Sequence, residues 1–121
     1  MRYYSLNRNA PEVSFQEAVV RGIAPDRGLY FPREIPKMPE SFWTGLGSLG
    51  VTDLALELMR PYVGESIPDP ALGDILEETL SFEFPLVELA PRLYSLELYH
   101  GPTMAFKDVG SRFMARCMGY F

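Results

Sequence analysis

The chain has one cysteine, Cys117, and one histidine, His100, which excludes an internal disulfide and leaves no recognisable zinc constellation. No apolar run approaches the roughly 20 residues that a membrane helix needs. The opening Met1-Arg2-Tyr3-Tyr4-Ser5 lacks the apolar segment of a signal peptide, so the expected compartment is the cytoplasm and no membrane partner is expected. Positive charge is also scarce: eleven Lys and Arg are spread among sixteen Asp and Glu, for a net charge of −5. Such a balance offers no basic patch for nucleic acid. Internal repeats and low-complexity segments are missing as well. What is there is the composition of a soluble globular protein, 47% hydrophobic and 22% charged. Its 121 residues suffice for one domain with its own core, or for one domain and the start of another. A small-molecule enzyme or an interaction domain fits these bounds.

The element pattern predicts an α+β fold. Arg2 to Ser5 reads as a short strand. Ser14 to Arg21 reads as a helix, with Ser14 and Glu17 forming a capping box, Gly22 at the C-terminal cap, and Phe15, Ala18 and Val19 as its buried stripe. Pro25-Asp26-Arg27-Gly28 is a turn, and Leu29-Tyr30-Phe31 a strand to pair with the first. After a proline-rich connector and a short helix from Glu40 to Thr44, the segment Gly45 to Gly50 contains a G-x-G-x-x-G pattern. With no strand before it, that pattern reads as a loop and not as a phosphate cradle. Thr52 to Val63 is amphipathic, with Leu54, Ala55, Leu58, Met59 and Tyr62 inward and Pro61 expected to distort or end its last turn. Asp69 as N-cap and Pro70 in the first turn open a helix to Ser81, with Leu72, Ile75, Leu76 and Leu80 inside. Phe84 to Leu89 and a strand from Leu93 to His100 make a hairpin about Ala90-Pro91-Arg92.

Gly101-Pro102 breaks that strand, and the apolar spacing then turns helical: Phe106, Val109, Phe113, Cys117 and Tyr120 share one face, joined by Met114 and Phe121. Cys117 on this face reads as a buried filler. With Thr103 as N-cap, Lys107 falls in the first helical turn, where the positive end of the macrodipole favours an anion such as Asp108. The helix field and burial beside Phe106 would both push the lysine toward its neutral amine, the form that attacks an aldehyde to give a Schiff base. Two readings follow from position alone: an activated amine, or a solvated Lys107–Asp108 surface pair of little energetic weight. His100 likewise reads as a catalyst or as a strand-end residue hydrogen-bonded to nearby backbone.

The run Glu97-Leu98-Tyr99-His100-Gly101-Pro102-Thr103-Met104-Ala105-Phe106-Lys107-Asp108 resembles the E-L-F/Y-H-G-P-T-x-A-F-K-D signature of the threonine synthases. Ser14-Phe15-Gln16-Glu17-Ala18-Val19 with Gly22, then Asp26-Arg27-Gly28-Leu29-Tyr30-Phe31-Pro32, are similar to that family's N-terminal motifs, in the right order. Tyr99 and Met104 replace the commoner Phe and Leu, and Arg27 stands where many members have glycine.

The resemblance implies pyridoxal 5'-phosphate as cofactor, held covalently by Lys107, which is then also the catalytic acid–base group. It implies O-phospho-L-homoserine as substrate and L-threonine and phosphate as products. His100 and Thr103 would bind substrate or shape the loop around Lys107. The expected division is a small N-terminal domain of helices with short strands over 1–84, followed over 85–121 by the first strand and helix of a truncated α/β pyridoxal-phosphate domain. No Gly- and Ser/Thr-rich phosphate loop or partner for a pyridine nitrogen is visible, so the 121 residues read as the N-terminal fragment of a longer enzyme, inactive alone. Cut from its sheet, the last helix would expose Phe113, Met114, Cys117 and Phe121, and a homodimer through residues 93–121 would cover them. A phospholyase releasing a keto acid and a non-catalytic association domain remain as alternatives.

Overall fold

A computed structural model describes residues Met1–Phe121 as five α-helices and two small antiparallel sheets, which is the α+β class expected. Strand β1 (Tyr3–Ser5) pairs with β2 (Tyr30–Pro32), in the register Tyr3 to Pro32 and Ser5 to Tyr30. Pro32 is tolerated because it stands opposite Tyr3 in a non-hydrogen-bonded pair, Tyr3 spending its N–H and carbonyl on Val13, while the Arg33 N–H beyond it still donates to the Arg2 carbonyl at 2.9 Å.

Helix α1 (Phe15–Arg21) starts as read: the Ser14 side chain accepts from the Glu17 N–H while the Glu17 carboxylate accepts from the Ser14 N–H. Gly22 closes it, donating its N–H to the Ala18 carbonyl. Between β1 and the turn before β2, Asp26 accepts from the Ser5 hydroxyl at 2.6 Å, the Gly28 N–H at 3.0 Å and the Asn9 N–H at 2.9 Å. Gly28 is required there, because a Cβ would lie 2.9 Å from the Asn7 nitrogen and closer still to the Ser5 hydroxyl.

Helix α2 (Glu40–Gly45) runs into a 3-10 turn over Leu46–Ser48, so the glycine-spaced segment holds no cradle of the dinucleotide kind. Helix α3 (Val51–Val63) passes through Pro61 to Val63; Arg60, one residue earlier, pairs with Glu57 at 2.8 Å and Asp69 at 3.0 Å and holds that last turn. Its inward face is less covered than its pattern implied: Val63 is buried, Ala55 and Met59 are half-buried and Leu58 is exposed. Helix α4 (Asp69–Thr79) begins one residue earlier than expected, so Asp69 is its first residue and not its cap. The Arg60 guanidinium, by drawing Asp69 toward α3, gives that carboxylate a different task.

Leu72, Ile75 and Leu76 of α4 meet Tyr3, Val13, Phe15, Val63 and Ile67 in one core. Cys117 lies in this core, fully buried, on helix α5 (Lys107–Tyr120). Phe113 and Phe121 pack against it, with Phe15 touching both rings. The exposure expected of Phe113, Cys117 and Phe121 is therefore corrected: α5 finds its partner in α1 and α4, and of the four residues only Met114 is exposed.

The hairpin of β3 (Leu86–Ala90) and β4 (Leu93–Leu96) is turned by Arg92 at φ 65° and is bulged between Glu88 and Ala90. The strand expected to reach His100 ends at Leu96, with one further bond from the Glu97 N–H to the Pro85 carbonyl. Leu86, Leu89, Leu93, Tyr94 and Leu96 are all more than half exposed, so neither face of this hairpin is covered as the alternation implied.

Candidate functional site around Lys107

Between β4 and α5 the chain makes a compact loop, and its hydrogen bonds differ from the predicted capping. A Thr103 N-cap would accept from the first helical N–H groups. Instead, Thr103 donates twice to the Asp108 carboxylate, from its N–H at 2.9 Å and its hydroxyl at 2.5 Å. The helix begins at Lys107, with Phe106 in the cap position and no side-chain cap. The extra turn arises from Met104, whose φ of 54° lies in the left-handed region that a non-glycine residue seldom occupies. Its N–H returns to the Gly101 carbonyl at 3.0 Å, and the Asp108 N–H to that of Ala105 at 3.0 Å.

Asp108 is only 5% exposed. The Thr103 hydroxyl, followed by the backbone N–H groups of Thr103 and Ala105 and by the charge of Arg112, holds its carboxyl below the ordinary carboxylate range. Both of its oxygens are taken by Thr103, so the solvated Lys107–Asp108 pair does not form.

Lys107 is the first residue of α5, exposed, and its amine makes no ion pair or hydrogen bond. It borders a shallow concavity with Phe106, Val109, Gly110, Ser111 and Met114. The burial expected beside Phe106 is not found, since the Phe106 ring is 69% exposed. The amine therefore stands in water at the head of the helix.

His100 pairs with a side chain and not with backbone: its Nε2 lies 2.6 Å from Glu97 Oε2. The Tyr99 ring stacks on the imidazole, with centroids 4.7 Å apart. His100 and then Tyr99 hold the Glu97 carboxyl below its ordinary range, and Glu97 in turn pushes the Tyr99 hydroxyl up. Thr103 is joined to the lysine's helix through Asp108, whereas His100 forms a separate local cluster with Glu97 and Tyr99.

Two contributors were missed from sequence. Gly101 is buried against Asp108, where a Cβ would come within 2.9 Å of the carboxyl carbon. Arg112, one turn beyond Asp108, donates to the Glu78 carbonyl and, at 2.9 Å, to the Ser81 hydroxyl, fastening α5 to the end of α4. The four-residue spacing of Asp108 and Arg112 suggested a pair between those two and not the contacts that Arg112 makes with α4. Gly101 had no signal.

Residues 2–80 match a family model described as the threonine synthase N terminus. Threonine synthase of Escherichia coli (strain K12) is 31% identical over 118 residues, covering 98% of this chain and 28% of that protein. That of Pseudomonas aeruginosa is 36% identical over 125 residues, covering 99% of this chain and 27% of its own length. That of Saccharomyces cerevisiae is 36% identical over 132 residues, covering 98% and 26%. The crystal structure of threonine synthase from Escherichia coli superposes with a TM-score of 0.93 at 31% identity, over 99% of this chain and 28% of that one. The pyridoxal-phosphate-bound threonine synthase from Brucella melitensis does so with a TM-score of 0.93 at 35% identity, over 99% and 27%. The chain thus spans about a quarter of the length of the relatives it matches.

Proposed function

The chain belongs to the threonine synthase family, and on that premise we propose that Lys107 is the cofactor-holding lysine of an enzyme that converts O-phospho-L-homoserine and water to L-threonine and phosphate. The observation that carries this reading is the unpaired, accessible amine of Lys107 at the head of α5, inside the His100–Asp108 run. The donor set fits pyridoxal phosphate: a primary amine with no carboxylate partner is free to bond to an aldehyde carbon. Phe106 and Met114 beside it offer apolar surface to a planar ring.

When bound, the cofactor supplies an electron sink for carbanions at the substrate's α and β carbons. Lys107 would hold it through Nζ. The same Nζ would be the group placed to move protons between those two carbons. Asp108 does not compete for Nζ, because Thr103 occupies its carboxylate. Because the chain spans about a quarter of its relatives' length, we take this segment as one part of the catalytic unit.

The test is titration of pyridoxal phosphate into the full-length protein that carries this segment, followed by visible absorbance and by phosphate release from O-phospho-L-homoserine. The wild type is expected to develop a visible band that Lys107→Ala lacks, with turnover lowered about 10²–10⁴-fold in the variant. A full-length wild type with no Lys107-dependent band would sink the reading.

A further inference from the structure

We propose that Asp108 is a positioning residue for Lys107, its buried carboxylate drawing the Gly101–Thr103 turn onto the head of α5 and so fixing where the amine stands. The inference rests on the reading of Lys107 as the cofactor lysine, and concerns what holds that lysine in place.

Four observations converge. The carboxylate is one residue beyond Lys107, so whatever orients Asp108 orients the helical turn from which the lysine leaves. It accepts two hydrogen bonds from Thr103, five residues back, and a charged acceptor makes both strong. Gly101 closes over it with no room for a Cβ. The loop in between includes the left-handed backbone of Met104, whose side chain is 80% exposed and cannot hold that conformation through burial. A backbone of this kind persists only where its surroundings over-determine it. Here the Asp108 carboxylate is the group that both ends of the loop meet.

The arrangement also separates two roles of a carboxylate beside a lysine. An Asp paired with Nζ would hold it as a cation, whereas an Asp turned inward lends its structure and leaves the amine free. Both oxygens of Asp108 face Thr103, which is the second arrangement.

Lys37 and Lys107 are the two lysines of this sequence, so Lys37 serves as an internal reference for amine reactivity. In full-length protein freed of cofactor, trace acetylation followed by peptide mass analysis gives the ratio of Lys107 to Lys37 labelling across pH. Loaded protein gives kcat per bound cofactor and KM. Thr103→Val removes the hydroxyl donor and keeps the charge of Asp108; Thr103→Ser keeps both. Asp108→Asn keeps size and turns one acceptor into a donor facing Thr103.

Thr103→Val and Asp108→Asn are each expected to shift the labelling ratio and to lower kcat about tenfold with little change in KM. Their combination should cost no more than the worse single variant, and Thr103→Ser, which keeps the donor, should recover most of the labelling ratio and kcat lost in Thr103→Val. A lower melting temperature with an unchanged labelling ratio and kcat would reduce Asp108 to a structural residue and overturn the proposal. A raised KM at constant kcat in Thr103→Val would assign Thr103 to the substrate and overturn it too. Should Asp108→Asn not fold, the Thr103 pair decides alone, since Thr103 is exposed. The labelling ratio needs no cofactor, so it reads the Asp108–Lys107 link even if the wild type failed to hold pyridoxal phosphate on Lys107.

Discussion

Leu72 has no exposed surface, and it stands where α4 meets Val63 and Ile67 in the middle of the core. Truncating it removes apolar contacts and leaves a cavity that helices pinned on several sides cannot fill. Leu72→Ala is therefore expected to lower stability by about 2–5 kcal/mol, read from the urea midpoint. A midpoint unchanged within error would mean that the core closes around the gap. At this scale the sequence was readable where a residue answers to its near neighbours. Ser14 and Glu17 form the capping box that their spacing announces, and Cys117 is the buried filler that its helical face implied. Thr103 was misread because a cap follows from counting residues to the first helical N–H, and Met104 adds a left-handed turn that no count reveals. Lys107 was correctly placed at the head of a helix, but the sequence could not say that Asp108 faces inward.

Among the elements, β3 and β4 were legible from their alternation and turn residues, yet their surroundings were not. Burial belongs to what lies across from a face, and the hairpin shows Leu86, Leu89, Leu93 and Leu96 to solvent on a ladder of two strands. A two-stranded sheet without a covering layer is marginal in water. In the 121-residue chain, amides of β3 and β4 are expected to exchange with deuterium well before those of α4, whose apolar face is in the core. Hairpin amides protected as long as those of Leu76 and Thr79 would contradict this. Helix α5 was read for a sheet that it does not meet here; of the stripe read for it, Phe113, Cys117 and Phe121 reach the core while Phe106, Met114 and Tyr120 are exposed, because the surface that receives the helix could not be read from periodicity.

For the whole molecule, charge sets the pH range of stability. The Ser14 N–H chiefly holds Glu17 below its ordinary pKa, the Ser5 hydroxyl does so for Asp26, and His100 and Thr103 do so for Glu97 and Asp108. A carboxyl depressed by folding binds its proton more readily in the unfolded chain, so its contribution is complete above about pH 4.5 and is lost as pH falls through the folded value. The basic limit has the opposite sign. Burial pushes the Cys117 thiol up to about 11 and the Tyr3 hydroxyl up to about 12, so the unfolded chain releases these protons first. Stability that is whole below the unfolded values, about 8.5 for a thiol and 10 for a phenol, is lost as pH rises toward the folded ones. Thermal melts should show a plateau between about pH 5 and 8 with declines on both sides. A melting temperature that kept rising above pH 9 would contradict it. Helix α5 adds a mechanical consequence, since it is a rod packed at its far end around Cys117, fastened midway by Arg112 and carrying Lys107 at its near end. From Arg112 the lever arm is about 7.5 Å, so a tilt of about 8° there swings the root of Lys107 by about 1 Å. Where Lys107 holds a cofactor, a displacement of that size would cost about a hundredfold in rate, so substitutions around Phe15 and Ile75 would detune a site they never touch.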